Sequence, residues 1–419
     1  MNSDSGGSIL ICAARLFDGS SSAVHQDHAV LVQGEYIKAV GPRASMLEGQ
    51  GNGAVLIDLG DVCLMPGLID THTHVSLPSD GRSYVECFAE SDEMMVLTGV
   101  RNLRRALEAG ITTVRDLGAR NMVAFTLKEG LRRGYITGSR LLVCGRSITC
   151  TEGHFHMCNE VADGEVEMRR SVRRLVHQGA DFIKIMASGG GTVGTIPSRA
   201  SYSVDELRAA VQEAVHLDRL TAAHCRATES MQRAVDAGVH LIEHAEFLSA
   251  DGQLLFDPGL AAQMAACGTW ISPTLAAWTG YTRLDTLYAQ SRAGSLTPAE
   301  ERALAAMDAR AETRLELVRD LVDAGLKERI LPGSDAGVGH LQFGKLMYDL
   351  QLLARTGFTA AEALRAATRQ SAAAMGRDDL GTIEPGKVAD LAAFAGDPTD
   401  DLEALRHVAA VFQAGKQVV

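Results

Sequence analysis

The order of strand-like and helix-like stretches predicts an α/β protein, a (β/α)8 TIM barrel with a small β-sandwich domain built from both chain termini. Three observations carry that expectation. Apolar strand candidates alternate with helix-like stretches from Leu64 to Ala336. Both flanks read as short strands punctuated by Gly, Pro and Asp. Residues of metal-ligand type fall one after another at the ends of the central strands, where barrels carry their working groups.

In order along the chain, ILICAARLFDG, AVLVQGEYIKAVGP and AVLIDLGD form the first flank. LMPGLIDTHTHV (64–75) then reads as the first barrel strand, with Leu68, Asp70, His72 and His74 on one side by period-two alternation. The further strands are expected at 111–117, 139–145, 181–187, 219–225, 238–245, 268–274 and 329–336. VLTGVRNLRRALEAG, EVEMRRSVRRLVHQG, SVDELRAAVQEAVHL and ATESMQRAVDAG read as helices between them, several closing on Gly. Residues 284–325 are polar and helical, and FTAAEALRAATRQSAAAMG reads as a helical pair. GTIEPGKVADLAAFAGD and VAAVFQAGKQVV return to short strands. The expected domains are therefore a discontinuous sandwich, 1–62 with 378–419, and a metal-dependent barrel over 63–377.

A chain of 419 residues with 46% hydrophobic and 22% charged residues is of ordinary globular composition. The formal net charge of -12, with no basic run, argues against a nucleic-acid partner. No stretch approaches the roughly 20 apolar residues that span a bilayer, so no membrane partner is expected. MNSDSGGSILICAARLF lacks the basic start and long apolar core of a secretory signal. The eight cysteines form no CxxC pair, and reduced thiols in a cytoplasm are the expectation.

His72 and His74, about 7 Å apart along one strand face, can converge on one cation. His224 ends TAAHC, His244 ends HLIEHA and Asp335 ends ILPGSDA. Lys184 sits inside DFIKIMA, on a strand that a parallel barrel buries on both faces. A buried ammonium is costly and tends to lose its proton. The neutral amine can then capture CO2 as a carbamate, whose two oxygens bridge two cations. His240 points inward but lies toward the closed end, about 13 Å below His244, and reads as structural.

In the loop ITCTEGHFHMC, His154 can reach over the site to polarise a substrate carbonyl, and His156 is a neighbour. SGGGTVGTIPSR lacks the GK[ST] ending of a phosphate cradle and reads as a flexible lining. His340, Tyr202 and Trp278 are further pocket candidates. Arg146, Arg199 and Arg226 each read as a carboxylate binder or as a surface charge, with Arg226 the preferred substrate contact.

With PGLIDTHTH, EPGKVADL, DFIKIMASGG, AHCRATESMQRAVDAGVHLIEHA and GSDAG, the chain resembles the amidohydrolase superfamily along essentially its whole length. It looks most like the two-metal, carboxylated-lysine branch, in the Xaa-Pro dipeptidase and imidazolonepropionase-related group. That group also holds arylamide, ochratoxin and phenylurea hydrolases. A GGH-type element common there reads TEGHFH here, which keeps a histidine at 154 in altered surroundings.

The resemblance implies two divalent ions, zinc first with Mn, Co or Fe as alternatives. His72 and His74 would hold the buried ion, His224 and His244 the exposed one, and N6-carboxylysine at Lys184 would bridge them. Asp335 would ligate the buried ion and shuttle the proton. The implied reaction is hydrolysis of a C–N amide bond in a small molecule (a dipeptide, N-acyl amino acid or arylamide) by a metal-bridging hydroxide. A homo-oligomer is also implied. Alternatives at this stage are a carbamate or phenylurea hydrolase on the same residues, a single-metal deaminase that does not need Lys184, a phosphotriesterase-type barrel, and a non-catalytic assembly protein.

Overall fold

Pro66 and Gly67 divide what reads in sequence as one apolar strand, and its two halves serve different sheets. The computed structural model describes residues 7–49 and 53–419, so residues 1–6 and 50–52 of the expected terminal domain lie outside the described residues. At the N-terminal side lie β1 (Ser8–Phe17), β2 (Val24–Gln33), β3 (Tyr36–Pro42), β4 (Val55–Asp58) and β5 (Val62–Pro66). Gly67 gives its N–H to the Asp390 carbonyl at 2.9 Å, and a Cβ there would overlap the Thr112 side chain. The chain therefore turns at this glycine and begins a second sheet.

Six strands follow in βα alternation: β6 (Leu68–Thr73), β7 (Ile111–Asp116), β8 (Arg140–Val143), then after two short strands β11 (Phe182–Met186), β12 (Leu220–Ala227) and β13 (Leu241–Leu248). The short strands are β9 (Ile148–Thr149) and β10 (Glu160–Val161), and β14 (Trp270–Ser272) ends the series. All pair in parallel, β6-β7-β8 in one sheet and β10-β9-β11-β12-β13-β14 in another. Every residue of β6, β7 and β11 is buried, as a parallel sheet covered on both faces requires. Asp181 N–H donates to the Val143 carbonyl at 2.8 Å and so links β8 to the start of β11.

The strand expected at 329–336 is reduced to two parallel bridges, Ile330 with Ile271 and Ala336 with Thr73. Pro332 between them has no N–H to give. The N–H groups of Gly333 and Ser334 are taken by the carboxylates of Asp349 and Asp70, each at 3.0 Å. Side chains thus replace the ladder over the residues that lead into Asp335.

The helices between strands carry the expected signals. Ser203 and Glu206 form a capping box on helix Val204–His216, and Thr297 and Glu300 form another on helix Pro298–Leu321. The polar stretch before Asp335 is helical at Tyr281–Arg292 and Pro298–Leu321. At the far end, β15 (Leu391–Ala395), β16 (Val408–Gln413) and β17 (Lys416–Gln417) join the first sheet in the order β17-β16-β15-β5-β1-β2-β3, with β4 paired to β1. Strands from both chain ends therefore share a core that includes Ile11, Val30, Leu64, Leu391 and Phe412. No helix among the described residues is long and apolar enough to cross a membrane.

Candidate metal centre

The C-terminal ends of the parallel strands converge on one cavity of about 430 Å³. His72 is the second-to-last residue of β6 and His74 lies just beyond its end, with Lys184 in β11, His224 in β12 and His244 in β13. These five and Asp335 all line the cavity, together with His154, Arg226, Trp278 and His340. The imidazole centroids of His72 and His244 are 4.9 Å apart, and those of His224 and His244 are 4.5 Å apart. Donor atoms of His72, His244 and Asp335 lie within 4.8 Å of one another.

The proton positions at this cluster follow from the partners. Nδ1 of His72 is 2.7 Å from the Glu243 carboxylate, and Nδ1 of His74 is 3.4 Å from the Gly118 carbonyl. Both partners only accept, so each Nδ1 carries its ring's proton and each Nε2 keeps a lone pair. Those two Nε2 atoms stand 3.4 Å and 3.3 Å from Oδ1 of Asp335. That oxygen is buried and has no hydrogen-bond partner. Three electron pairs facing one another in a buried place, with no proton between them, is an arrangement that a cation satisfies.

Burial holds His72 below its ordinary value and His224 and His244 well below theirs, so these rings are neutral, and His224 Nε2, 3.2 Å from the Gly189 carbonyl, carries that ring's proton and leaves Nδ1 as its lone-pair atom. Burial also lowers Lys184, helped by Arg115 and opposed by Glu243 and Asp335. Burial alone would raise Asp335, but His72, His74 and Lys184 hold it down to about 2. His154 is neutral, pushed to about 3 by burial and by His74 and Lys184.

The backbone is strained here. His244, Ala245, Thr274 and Asp335 have φ of 71°, 47°, 47° and 55°, each in the left-handed region at a cost of about 1 kcal/mol or more. The turn at His244 breaks the strict alternation of β13, so Glu243 and His244, neighbours in sequence, both reach the cluster. Glu243 also takes a hydrogen bond from Arg115 at 3.1 Å, and the Arg115 guanidinium lies over the Phe182 ring.

Sequence reasoning passed over Glu243, although a lone acidic residue inside the apolar run LIEHA was a visible signal. It also passed over two hydroxyls remote in sequence. Thr192 Oγ1 sits 2.9 Å from His154 Nδ1, and Thr274 Oγ1 sits 2.8 Å from His244 Nδ1 while accepting Trp278 Nε1–H at 2.9 Å.

Tyr202 corrects an expectation. It is not among the cavity residues; its ring is in the core and its hydroxyl donates to the Ala162 carbonyl at 2.9 Å. Arg146 is likewise engaged elsewhere, by Glu160, Gln178 and Asn121. Arg226 lines the cavity, held by Glu246 at 2.6 Å over the Trp278 ring. His240 bonds the Ala374 carbonyl at 2.9 Å, in keeping with a structural role, and His156 stays outside the cavity beside Glu152.

Residues 63–418 match the model of the amidohydrolase family. Among curated proteins, ochratoxinase of Aspergillus niger is 25% identical over 384 residues, covering 84% of this chain and 74% of that one. Imidazolonepropionase of Rhizobium rhizogenes is 26% identical over 390 residues, 90% and 89% of the two chains. Among solved structures, a Xaa-Pro dipeptidase with methionine in its active site superposes with a TM-score of 0.83 at 26% identity, over 98% of this chain and 100% of that one. The chain belongs to the amidohydrolase family and is a metal-dependent hydrolase of carbon–nitrogen bonds.

Proposed function

We propose that this chain hydrolyses the amide bond of a small molecule of the dipeptide, N-acyl amino acid or arylamide type, holding two divalent cations, zinc foremost, on His72, His74, His224, His244, Asp335 and a carboxylated Lys184. The observation that carries the reading is the orphaned Asp335 Oδ1, facing two imidazole lone pairs in a cavity that Lys184, His224 and His244 also line. The names of the ochratoxinase and the Xaa-Pro dipeptidase among its relatives support the amide class.

The parallel strands and the bridges at Ile330 and Ala336 support the (β/α)8 barrel expected over 63–377, starting at Leu68 because Val62–Pro66 pairs in the other sheet, and closing through Thr73 and Ala336. The sheet shared by both chain ends supports joining 1–62, extended to Pro66 by β5, with 378–419 in one terminal domain, which we read as the sandwich. All eight cysteines are unpaired, which suits a reducing cytoplasm.

Lys184 reaches its modified form in one balanced step. In its free-amine form, which burial favours, Nζ attacks the carbon of CO2; an N–C bond forms as one C=O π pair moves onto oxygen, and one N–H proton leaves to give the carbamate anion. When bound, the cations acidify a water toward neutrality and polarise the substrate carbonyl. With Oδ1 given to a cation, the ionised Asp335 carboxylate would accept a proton there through its other oxygen and return it to the leaving nitrogen.

His154 supplies an uncharged donor. Thr192 Oγ1 accepts the Phe155 N–H at 3.0 Å and can give its own hydrogen to His154 Nδ1, the arrangement that puts the ring proton on Nε2. Arg226 is the one of the three arginines singled out in sequence that lines the cavity, and it suits a substrate carboxylate. His340 stands at the same cavity's wall as a further contact.

The test is hydrolysis by zinc-loaded protein of dipeptides, N-acyl amino acids, anilides and ureas, beside Asp335→Asn. Amide turnover that chelation abolishes is expected, with Asp335→Asn keeping its metal and losing about 10²-fold or more in rate. Near-normal turnover by Asp335→Asn overturns its assigned role. One ion per chain favours the single-metal deaminase, and turnover confined to ureas favours the phenylurea alternative.

A further inference from the structure

We propose that Asp349 is a positioning residue for the reaction: its carboxylate clips the loop that carries Asp335 to Thr274 and the short helix Leu275–Thr279 that carries Trp278. Oδ2 accepts the Gly333 N–H and Oδ1 accepts the Ala276 N–H, both at 3.0 Å, and the Leu275 N–H faces the same group. Asp349 itself lies in the first turn of helix Met347–Ala354, is wholly buried and does not line the cavity.

The two donors are not arbitrary. Gly333 is two residues before Asp335 and Ala276 two residues after Thr274, and both Asp335 and Thr274 are held at positive φ. Strained conformations of this kind persist only where the surroundings over-determine them. A dry carboxylate is itself costly, and burial together with the Asp70 charge pushes Asp349 up to about 7 against its three N–H donors. A buried carboxyl group that ties together two strained segments, each bearing part of the cluster, is a device for spacing them.

What the clip spaces is visible on both sides. The Gly333 side packs so closely on His72 that a Cβ at 333 would stand 2.7 Å from the His72 Cβ. The Ala276 side sets Thr274, whose hydroxyl orients His244 and anchors the Trp278 indole. Asp349 therefore acts on the cluster from outside it, through backbone N–H groups.

This proposal rests on the site reading above, and its test separates the two. Asp349→Asn keeps the volume and one accepting oxygen. It is made in a Trp270→Phe background so that Trp278 is the sole indole emitter. Zinc affinity and kcat are expected to fall about tenfold each, the range for groups that orient metal ligands, with KM little changed. In metal-free protein the Trp278 emission should become more open to acrylamide, a readout that requires neither turnover nor bound metal. If Asp349→Asn fails to fold, Ala276→Pro deletes one donor in a helix's first turn, where proline is tolerated, and should give the same three changes. Parent-like affinity, kcat and quenching overturn the proposal, as does a loss confined to melting temperature. A changed emission without any amide hydrolysis, even by the parent, keeps the clip and sinks the proposed reaction.

Discussion

The Glu243 carboxylate stands 2.7 Å from Nδ1 of His72 on one side and 3.1 Å from the Arg115 guanidinium on the other, with no part of it exposed. His72, Lys184 and Arg115 outweigh burial and hold Glu243 below the ordinary carboxylate range. It fixes the His72 tautomer and neutralises a buried cation at once. Glu243→Gln should weaken zinc binding by about 10- to 100-fold in chelator competition. It should also destabilise the fold by roughly 3 kcal/mol in denaturant titration, because Arg115 is left buried without its counter-charge. Unchanged zinc affinity would mean that His72 needs no such brace.

Lys184 should weigh more than a lysine. Its burial favours the free amine that CO2 capture requires. The intact protein sprayed from neutral solution is expected to be heavier by one CO2 than after acid denaturation, and Lys184→Ala should show no such difference. Equal masses in the parent would remove the carbamate.

Gly190 faces the His154 ring, and a Cβ there would stand 2.5 Å from Nε2. Gly190→Ala should therefore displace the imidazole while leaving melting temperature and metal content unchanged. The expected loss in kcat is about 10²-fold, as for removal of one donor to a developing oxyanion. Thr192→Val should lose part of that rate and Thr192→Ser should recover it. Parent rates in Gly190→Ala would take His154 out of the reaction.

Asp349 also predicts a pH dependence. Its folded value, about 7, lies above the ordinary 3.8, so the unfolded chain is the stronger acid. Its contribution to stability is present in full below about pH 4 and is lost as pH rises through about 7. Between about pH 5 and about pH 8 the melting temperature of metal-free parent should fall relative to that of metal-free Asp349→Asn, the difference between the two proteins isolating this one group. Asp70 and Asp116, each raised to about 6 by burial, act in the same direction, and the buried histidines His72, His154, His224 and His244, all lowered, act in the opposite one, alike in both proteins.

The strand-end residues His72, His74, Lys184, His224, His244 and Asp335 were legible because each ends or sits within a short apolar run whose period-two pattern is local. The parallel βα series was legible for the same reason. The split at Gly67 was not, since only the approach of Thr112 and the Asp390 carbonyl makes the chain turn there. Nor was the loss of a regular eighth strand, which depends on two carboxylates taking the N–H groups of Gly333 and Ser334. Tyr202 looked like a pocket aromatic until its hydroxyl found the Ala162 carbonyl.

By itself the sequence determined which chemistry the chain can hold: imidazoles, one amine and one carboxylate at the ends of strands. Tertiary structure alone decided which groups brace them. Glu243 meets His72 across 171 residues and Asp349 meets Gly333 and Ala276 from a separate helix. Desolvation and pairing belong to the neighbours a group acquires on folding, and no local pattern records who those neighbours are.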